Sequence, residues 1–312
     1  MQLVGLQSAT PPTPPESVVH RPACLEAGRS RPRRTLRIHD VVHALGERTW
    51  LMGVLNATPD SFSDGGSFPS VDAAIAHALG LWEAGADVVD VGGESTRPGA
   101  GRVDVVEERR RVVPVIAGLR RLSDVLISVD TTRREVAEAA LDAGADIIND
   151  ISGLRFDPAL GALVAQRGCG LVLMHSRGGF AGLHESPHYT DVMGEVVEEL
   201  GATMGRAQDA GVAAAQLLVD PGIGFSKNAR HSLAVLRDLA RIHALGLPVV
   251  VGPSRKSFIG HVLGAPVHER LLGTAASVAA SILRGAHVVR VHDVAAMRSV
   301  ARMCDALMGE TC

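Results

Sequence analysis

Polar and charged side chains close a series of short apolar runs along this 312-residue chain. Asn56, Glu94 to Arg97, Asp130, Asn149, His175, Asp220, Arg255 with Lys256, and Arg290 with His292 each stand at or just past the end of a run rich in Val, Ile and Leu. Any one of them is explained as a cap or loop residue, because Asp and Asn favour helix starts. Recurrence at the same end of at least seven runs is harder to explain that way: gathered at one rim, these groups would line one cavity holding both acids and bases. In Arg290-Val291-His292 the two polar groups share a face, since side chains alternate along a strand, and both can meet one anion. A buried carboxylate such as Asp130 or Asp220 must find a donor or a cation of its own.

Other chemistries fail on spacing. Thirteen histidines invite a zinc site, yet no His-Glu-x-x-His or comparable ligand pattern occurs. His184 and His188 stand at helical spacing, but Pro187 breaks any helix there, and both read as surface residues. The one Gly-x-Ser-like turn has no acid and histidine following in order, which argues against a serine hydrolase.

The elements that must position these groups are legible in the hydrophobic pattern. Eight runs, at 49–56, 87–93, 126–131, 147–152, 170–175, 217–222, 248–254 and 287–293, are short, continuously apolar and bounded by Gly or polar residues, as strands buried on both faces are. Segments of helical period alternate with them. Ile75, Leu79 and Trp82 form the stripe of the first, which Gly85 ends; Thr132 with Glu135 is read as a capping box opening the third, which Gly144 ends. Ala-Gly-Ala-Asp at 84–87 and again at 143–146 leads into a strand each time. Eight such units most simply close into an α/β (β/α)8 TIM barrel, because closure removes both sheet edges; an open doubly wound sheet is the fallback. Leu36, Ile38, Val41 and Val42 precede the first unit without a helix and predict a small lid or hairpin under the barrel's N-terminal end.

Composition bounds the rest. With 46% hydrophobic and 21% charged residues the chain can bury a large core, and a formal net charge of −3 gives no basic field for nucleic acid or an acidic membrane. Cys24, Cys169, Cys304 and Cys312 are scattered, as reduced thiols in a cytoplasmic protein are. No apolar run approaches the ~20 residues that span a bilayer. Residues 1–34, rich in Pro and then Arg, read as a mobile tail, and 35–312 as a single catalytic domain.

The strings at the strand ends are specific. Met52-Gly-Val-Leu-Asn-Ala-Thr-Pro-Asp-Ser-Phe-Ser-Asp-Gly-Gly66 and Asp90-Val-Gly-Gly-Glu-Ser-Thr-Arg-Pro-Gly99 resemble the two signatures of the dihydropteroate synthases. Ser128-Val-Asp-Thr-Thr132, Asn149-Asp-Ile-Ser-Gly153, Met174-His175, Asp220-Pro-Gly-Ile-Gly-Phe225, Gly252-Pro-Ser-Arg-Lys-Ser-Phe258 and Arg290-Val-His-Asp293 follow in order, one per unit. The resemblance spans residues 49 to 308, with mild departures at Ala57, Ser176 and Pro253.

It implies a transferase of folate biosynthesis that joins 7,8-dihydropterin-6-ylmethyl diphosphate to p-aminobenzoate and releases diphosphate, with Mg2+. By match to the family, Asp130, Asn149, Asp220 and Lys256 hold the pterin edge with Met174 on its ring face. Asn56, Arg290 and His292 form the diphosphate site, Asn56 also meeting the metal. Phe62, Thr96, Pro98, Phe225 and Ser257 shape the p-aminobenzoate pocket, and Asp130, Lys256, Asp64 and Arg97 take catalytic roles. The loops 59–67 and 94–102 are read as segments that close over substrate. Sulfonamides mimic p-aminobenzoate in such pockets. A homodimer through late helices is expected, with Met297, Val300, Ala301 and Cys304 on the last helix as its stripe, although core packing explains the same pattern. The rival readings are a pterin-binding methyltransferase, which has no diphosphate to expel and no need of Lys256, Arg290 and His292, and an inactive paralogue, which would have lost one of Asn56, Asp130, Lys256 or Arg290.

Overall fold

The computed structural model describes residues 31–57, 70–95, 101–183, 185 and 187–309. A hairpin of β1 (Arg34–Ile38) and β2 (Val41–Leu45) comes first. Eight strands follow: β3 (Trp50–Asn56), β4 (Val88–Gly92), β5 (Leu126–Asp130), β6 (Ile147–Asp150), β7 (Gly170–Met174), β8 (Leu217–Asp220), β9 (Val250–Val251) and β10 (Val288–Val291). All are paired in parallel in the order β8-β7-β6-β5-β4-β3-β10-β9. A parallel bridge between Val219 and Val249, with Val219 N–H donating to Pro248 O at 3.0 Å, joins the two ends into a (β/α)8 barrel. Outside it run α1 (Val71–Glu83), α2 (Val105–Leu122), α3 (Arg134–Asp142), α4 (Ala159–Arg167), α5 (Val192–Asp209), α6 (Ala229–Arg237), α7 (Ser257–Leu263), α8 (Leu271–Leu283) and α9 (Val294–Leu307). The unit after β9 carries two helices, α7 and α8, where one was expected.

Two apolar clusters follow from the period-two alternation of the strands. Leu51, Leu55, Val89, Val91, Ile127, Val129, Leu171, Leu173, Val289 and Val291 face the helices. Trp50, Met52, Val88, Ile147, Val172, Leu218, Val250 and Val288 face inward, where Leu36, Ile38 and Leu45 of the hairpin pack on them. The hairpin is therefore a plug in the N-terminal mouth, as expected, but only Leu36 and Ile38 of the expected residues seal it: Val41 and Val42 are exposed, and Leu45 packs inward instead. On four of the strands the inward positions turn polar two residues further along: Val88 leads to Asp90, Ile147 to Asn149, Leu218 to Asp220, Val288 to Arg290. One mouth is sealed with hydrocarbon and the other is lined with charge.

Several local expectations shift. Arg133, not Thr132, occupies the cap of α3 and makes no side-chain capping bond. Thr131 Oγ1 accepts from Arg133 N–H instead, and Asp157 on the next loop takes Arg134 N–H at 2.7 Å. The buried stripe of α1 is Ala74, Ile75, Ala78 and Leu81, leaving Trp82 exposed, because Ile75 lies against Gly118 of α2 where no Cβ would fit. Strand β9 shrinks to two residues, since Pro253 has no N–H for the ladder. The tail boundary at residue 34 falls inside the fold. Arg31 is buried and donates to Thr49 Oγ1 (2.7 Å), Ala286 O (2.9 Å) and Asp305 Oδ1 (2.7 Å), tying the chain's entry to α9. Met297, Ala301 and Cys304 are buried in the outer core with Val300 packed against it, so the expected dimer stripe on α9 is used within the chain.

Where β9 is short, a side chain extends its pairing. The buried His287 accepts from Val249 N–H at Nδ1 (3.0 Å) and meets Pro32 O at Nε2 (2.7 Å), a pattern only the neutral Nε2–H tautomer satisfies. Burial pushes its pKa down to about 3. The unfolded chain, with an ordinary histidine near 6.5, takes up this proton first, so the stabilisation is complete above pH 6.5 and is lost as the pH falls toward 3. Between pH 7 and 5 the wild type should lose about 2 kcal/mol more than His287→Gln, whose amide can make both bonds without titrating. Urea unfolding at the two pH values checks this; parallel losses would refute it.

Candidate active site

At the polar mouth one guanidinium ties three strands together. Arg290, on β10, donates from Nε to Asp90 Oδ2 (2.6 Å) on β4 and from Nη2 to Asp130 Oδ2 (2.8 Å) at the end of β5. Asn149, on β6, adds Nδ2–H to the same Asp90 oxygen at 3.2 Å. Asp90 is fully buried, whereas the side chains of Asp130 and Arg290 are each 20% exposed. Burial raises the Asp130 carboxyl to about 7, with Arg290 pulling against it. Burial also opposes the charge on Arg290, but Asp90 and Asp130 outweigh it and hold the guanidinium above its ordinary pKa. A guanidinium has five N–H donors, so two carboxylates leave part of the fork for another anion.

Asp90 was not among the residues singled out for a role. The signal was present: a charge in the middle of Val88-Val89-Asp90-Val91 cannot stay buried without a cation, and a strand interior offers none locally.

Asp220 ends β8 beside this clamp. Its Oδ1 accepts from Gly222 N–H (2.7 Å), while Oδ2 has no partner among the described residues. Burial raises this carboxyl too, against the pull of the Gly222 bond and of Lys256. Lys256 caps α7 after Arg255, a non-glycine residue at φ 58. That left-handed turn costs on the order of 1 kcal/mol. It is held by Arg255 N–H on Thr274 Oγ1 (3.1 Å) and by the Arg255–Asp293 ion pair (2.6 Å). Lys256 Nζ then stands 3.8 Å from the centre of the Phe225 ring. Burial and the Arg290 charge lower its ammonium to about 8, while Asp220 and Asp130 oppose them. Met174, Ile151, Leu183 and Phe225 form a small apolar cluster at this rim, in which Ile151, counted in the 147–152 run, had been given no role.

His292 lies just past β10. Ser254 Oγ accepts from His292 N–H (3.2 Å) and meets Nδ1 (3.0 Å), which assigns the ring proton to Nε2 when the hydroxyl donates. Burial lowers this imidazole to about 3, so it is a neutral donor. Asn56 ends β3 on the inward face, and Ser257 is exposed at the first position of α7. Two rim residues face elsewhere. His175 turns outward to Glu199 on α5, and Glu94 ties Val103 N–H (3.0 Å) to Arg133 (3.1 Å). Phe62, Asp64, Thr96, Arg97 and Pro98 lie outside the described residues.

Acids and bases thus converge on one mouth, and the comparisons agree on what kind of protein carries it. The family model described as pterin binding enzyme matches residues 52–292. A dihydropteroate synthase of Synechocystis sp. is 48% identical over 263 residues, covering 84% of this chain and 91% of the relative. The chain belongs to the dihydropteroate synthases. It is accordingly a transferase. Among solved dihydropteroate synthases, that of Xanthomonas albilineans with 4-aminobenzoic acid matches with a TM-score of 0.81 at 43% identity, covering 88% of this chain and 98% of that one. The same enzyme in complex with 7,8-dihydropteroate matches with a TM-score of 0.78 at 41% identity, covering 87% and 98%. No helix among the described residues is long and apolar enough to cross a membrane.

The clamp separates a buried anchor from an accessible arm. Asp90→Ala should destabilise the chain by about 3 kcal/mol, because it leaves the inner Nε edge of Arg290 without its buried partner. Asp130→Ala, at the part-exposed end, should cost under about 1 kcal/mol. Equal losses in urea unfolding would mean that Asp90 does not anchor Arg290.

Proposed function

We propose that this chain condenses 7,8-dihydropterin-6-ylmethyl diphosphate with p-aminobenzoate, giving 7,8-dihydropteroate and diphosphate. The observation that carries this reading is the meeting of Asp130 and Asp220 with Arg290 and Lys256 at one mouth of the barrel. A pterin presents adjacent N–H donors on its pyrimidine edge. The open oxygen of Asp220 accepts there, with Asn149 on the neighbouring edge, Lys256 on the ring's carbonyl side and Met174 on its face. Oxygen atoms of the diphosphate take the rest of the Arg290 fork and the Nε2–H of His292, donors that strengthen as negative charge grows on the leaving group.

Asn56 brings one amide oxygen to this rim. No group of three His, Cys, Asp or Glu side chains among the described residues is placed to hold a metal. That oxygen is a hard donor of the kind Mg2+ takes, an ion that keeps most of its shell as water and phosphate oxygens. When bound, it would neutralise charge on the diphosphate.

The C–O bond to diphosphate breaks first, leaving a methylene cation delocalised into the pterin; the neutral aniline nitrogen then attacks and gives up a proton. Asp130 stabilises the cation, at a carboxyl that Arg290 holds and whose ionised form it favours against burial. The p-aminobenzoate ring sits by Phe225 with its carboxylate at the Ser257 hydroxyl; α7, only seven residues long, adds little dipole. Roles for Asp64, Arg97, Phe62, Thr96 and Pro98 rest on the family match.

The homodimer is proposed on a different surface from α9. Val262, Leu263, Val267, Leu271 and Leu272, the last 80% exposed, lie on α7, the turn after it and the start of α8. Apolar side chains grouped like this are commonly covered by a partner, here a second copy of this chain.

Purified protein should form 7,8-dihydropteroate and diphosphate together only when pterin diphosphate, p-aminobenzoate and Mg2+ are all present. Diphosphate released with no p-aminobenzoate-dependent product would defeat the reading. Asp130→Asn should lower turnover by about a hundredfold while pterin affinity changes less than about threefold, as loss of a transition-state interaction requires. Equal effects on both would remove that role. Leu272→Glu should shift sedimentation from dimer to monomer; an unchanged dimer would place the interface elsewhere.

A further inference from the structure

Lys227, at the far end of the loop after β8, takes no part in the chemistry above, yet its ammonium is buried. The residue is 6% exposed. Nζ lies 2.8 Å from His175 Nδ1, 3.2 Å from Gly222 O and 3.1 Å from Phe225 O, which gives three acceptors for three N–H donors. For Nδ1 to accept, His175 must be neutral with its proton on Nε2, and Nε2 indeed faces Glu199 Oε2 at 3.0 Å. Burial holds that imidazole down at about 4. The carboxylate of Glu199, gripped in turn by Arg177 Nε at 2.9 Å, thereby reaches the lysine through a neutral ring.

The two carbonyls that Lys227 holds are the two ends of one turn. Phe225 N–H donates to Gly222 O at 3.1 Å, so the ammonium bridges the same turn from its other side. Gly222 has φ +68, and a Cβ there would lie 1.9 Å from His175 O, so the turn presses directly on the end of β7. Ser226, next after Phe225, is a non-glycine residue at φ 50. Its left-handed backbone is held by Oγ to Arg177 O (2.7 Å), by its N–H to Leu183 O (2.6 Å) and by Tyr189 OH on its carbonyl (3.0 Å). Such strain persists only where its surroundings over-determine it. What this braced turn presents to the mouth is the Phe225 ring, with Lys256 Nζ over its face.

We infer that Lys227 is a positioning residue for the amine substrate: by donating to the Gly222 and Phe225 carbonyls it fixes the Phe225 ring, and it touches neither substrate. The inference rests on the reading of Phe225 as part of the p-aminobenzoate seat. Asp220 depends on Lys227 less, because its backbone is held in the ladder, with His175 N–H on Asp220 O at 2.9 Å. The brace therefore acts on one substrate more than on the other.

Lys227→Met keeps the length of the side chain and removes its donors. It should raise KM for p-aminobenzoate at least tenfold, with kcat within threefold of wild type and pterin affinity by calorimetry also within threefold. A folded variant whose KM for p-aminobenzoate is unchanged, or whose pterin affinity falls equally, overturns the inference. Should Lys227→Met fail to fold, Glu199→Ala tests the same chain of bonds from a side chain that is 41% exposed. There KM for p-aminobenzoate should rise two- to fivefold with kcat retained, and an unchanged KM overturns the inference. A wild type with no p-aminobenzoate-dependent product would remove the synthase reading and this inference together, whereas normal wild-type activity with unaltered variants would remove only the brace.

Discussion

Arg290 lies where the barrel's two demands meet. Its guanidinium is held between a carboxylate that is wholly buried, Asp90, and one at the open mouth, Asp130. A cation at that depth cannot remain without partners, and a carboxylate at that depth cannot remain without a cation. The pair therefore fixes β4, β5 and β10 relative to one another and sets the height at which charge becomes available to a ligand. Asn149 adds a fourth point through Asp90. Asp130 is thus presented at a defined place and in contact with a positive group.

The opposite mouth makes this arrangement affordable in packing terms. Leu36, Ile38 and Leu45 of the hairpin cover the inward residues Met52, Val88, Ile147 and Val288, so water meets the barrel interior only from the polar side. The buried Arg31–Asp305 pair holds the chain's entry against α9, and His287 supplies the contact that the two-residue β9 lacks. Sealing one end removes solvent screening of the clamp's charges from that side.

Loops on this frame are held by side chains more than by ladders. Arg255 and Ser226 both adopt left-handed backbone without being glycine, and each precedes a lysine, Lys256 and Lys227. In one case the lysine reaches into the mouth; in the other it braces the wall behind it. The Phe225 ring connects the two, since it rests on the braced turn and carries the Lys256 ammonium on its face.

The eight strand positions, the plug and the polar ends were all readable in the chain, because alternation along a strand and the cost of burying charge are local rules that a linear pattern records. The resemblance of the strings from Met52 to Asp293 carried the family. What only tertiary structure decided was partnership. Glu94 and His175 stand at strand ends like the others, yet they bond to Val103 and Arg133 and to Glu199, away from the mouth. The stripe on α9 became core, the cap of α3 came from a neighbouring loop, and Asp90 proved to be the anchor of Arg290, two hundred positions away in the sequence. A sequence states which groups are costly to bury; which partner offsets the cost depends on the elements that closure of the barrel brings side by side.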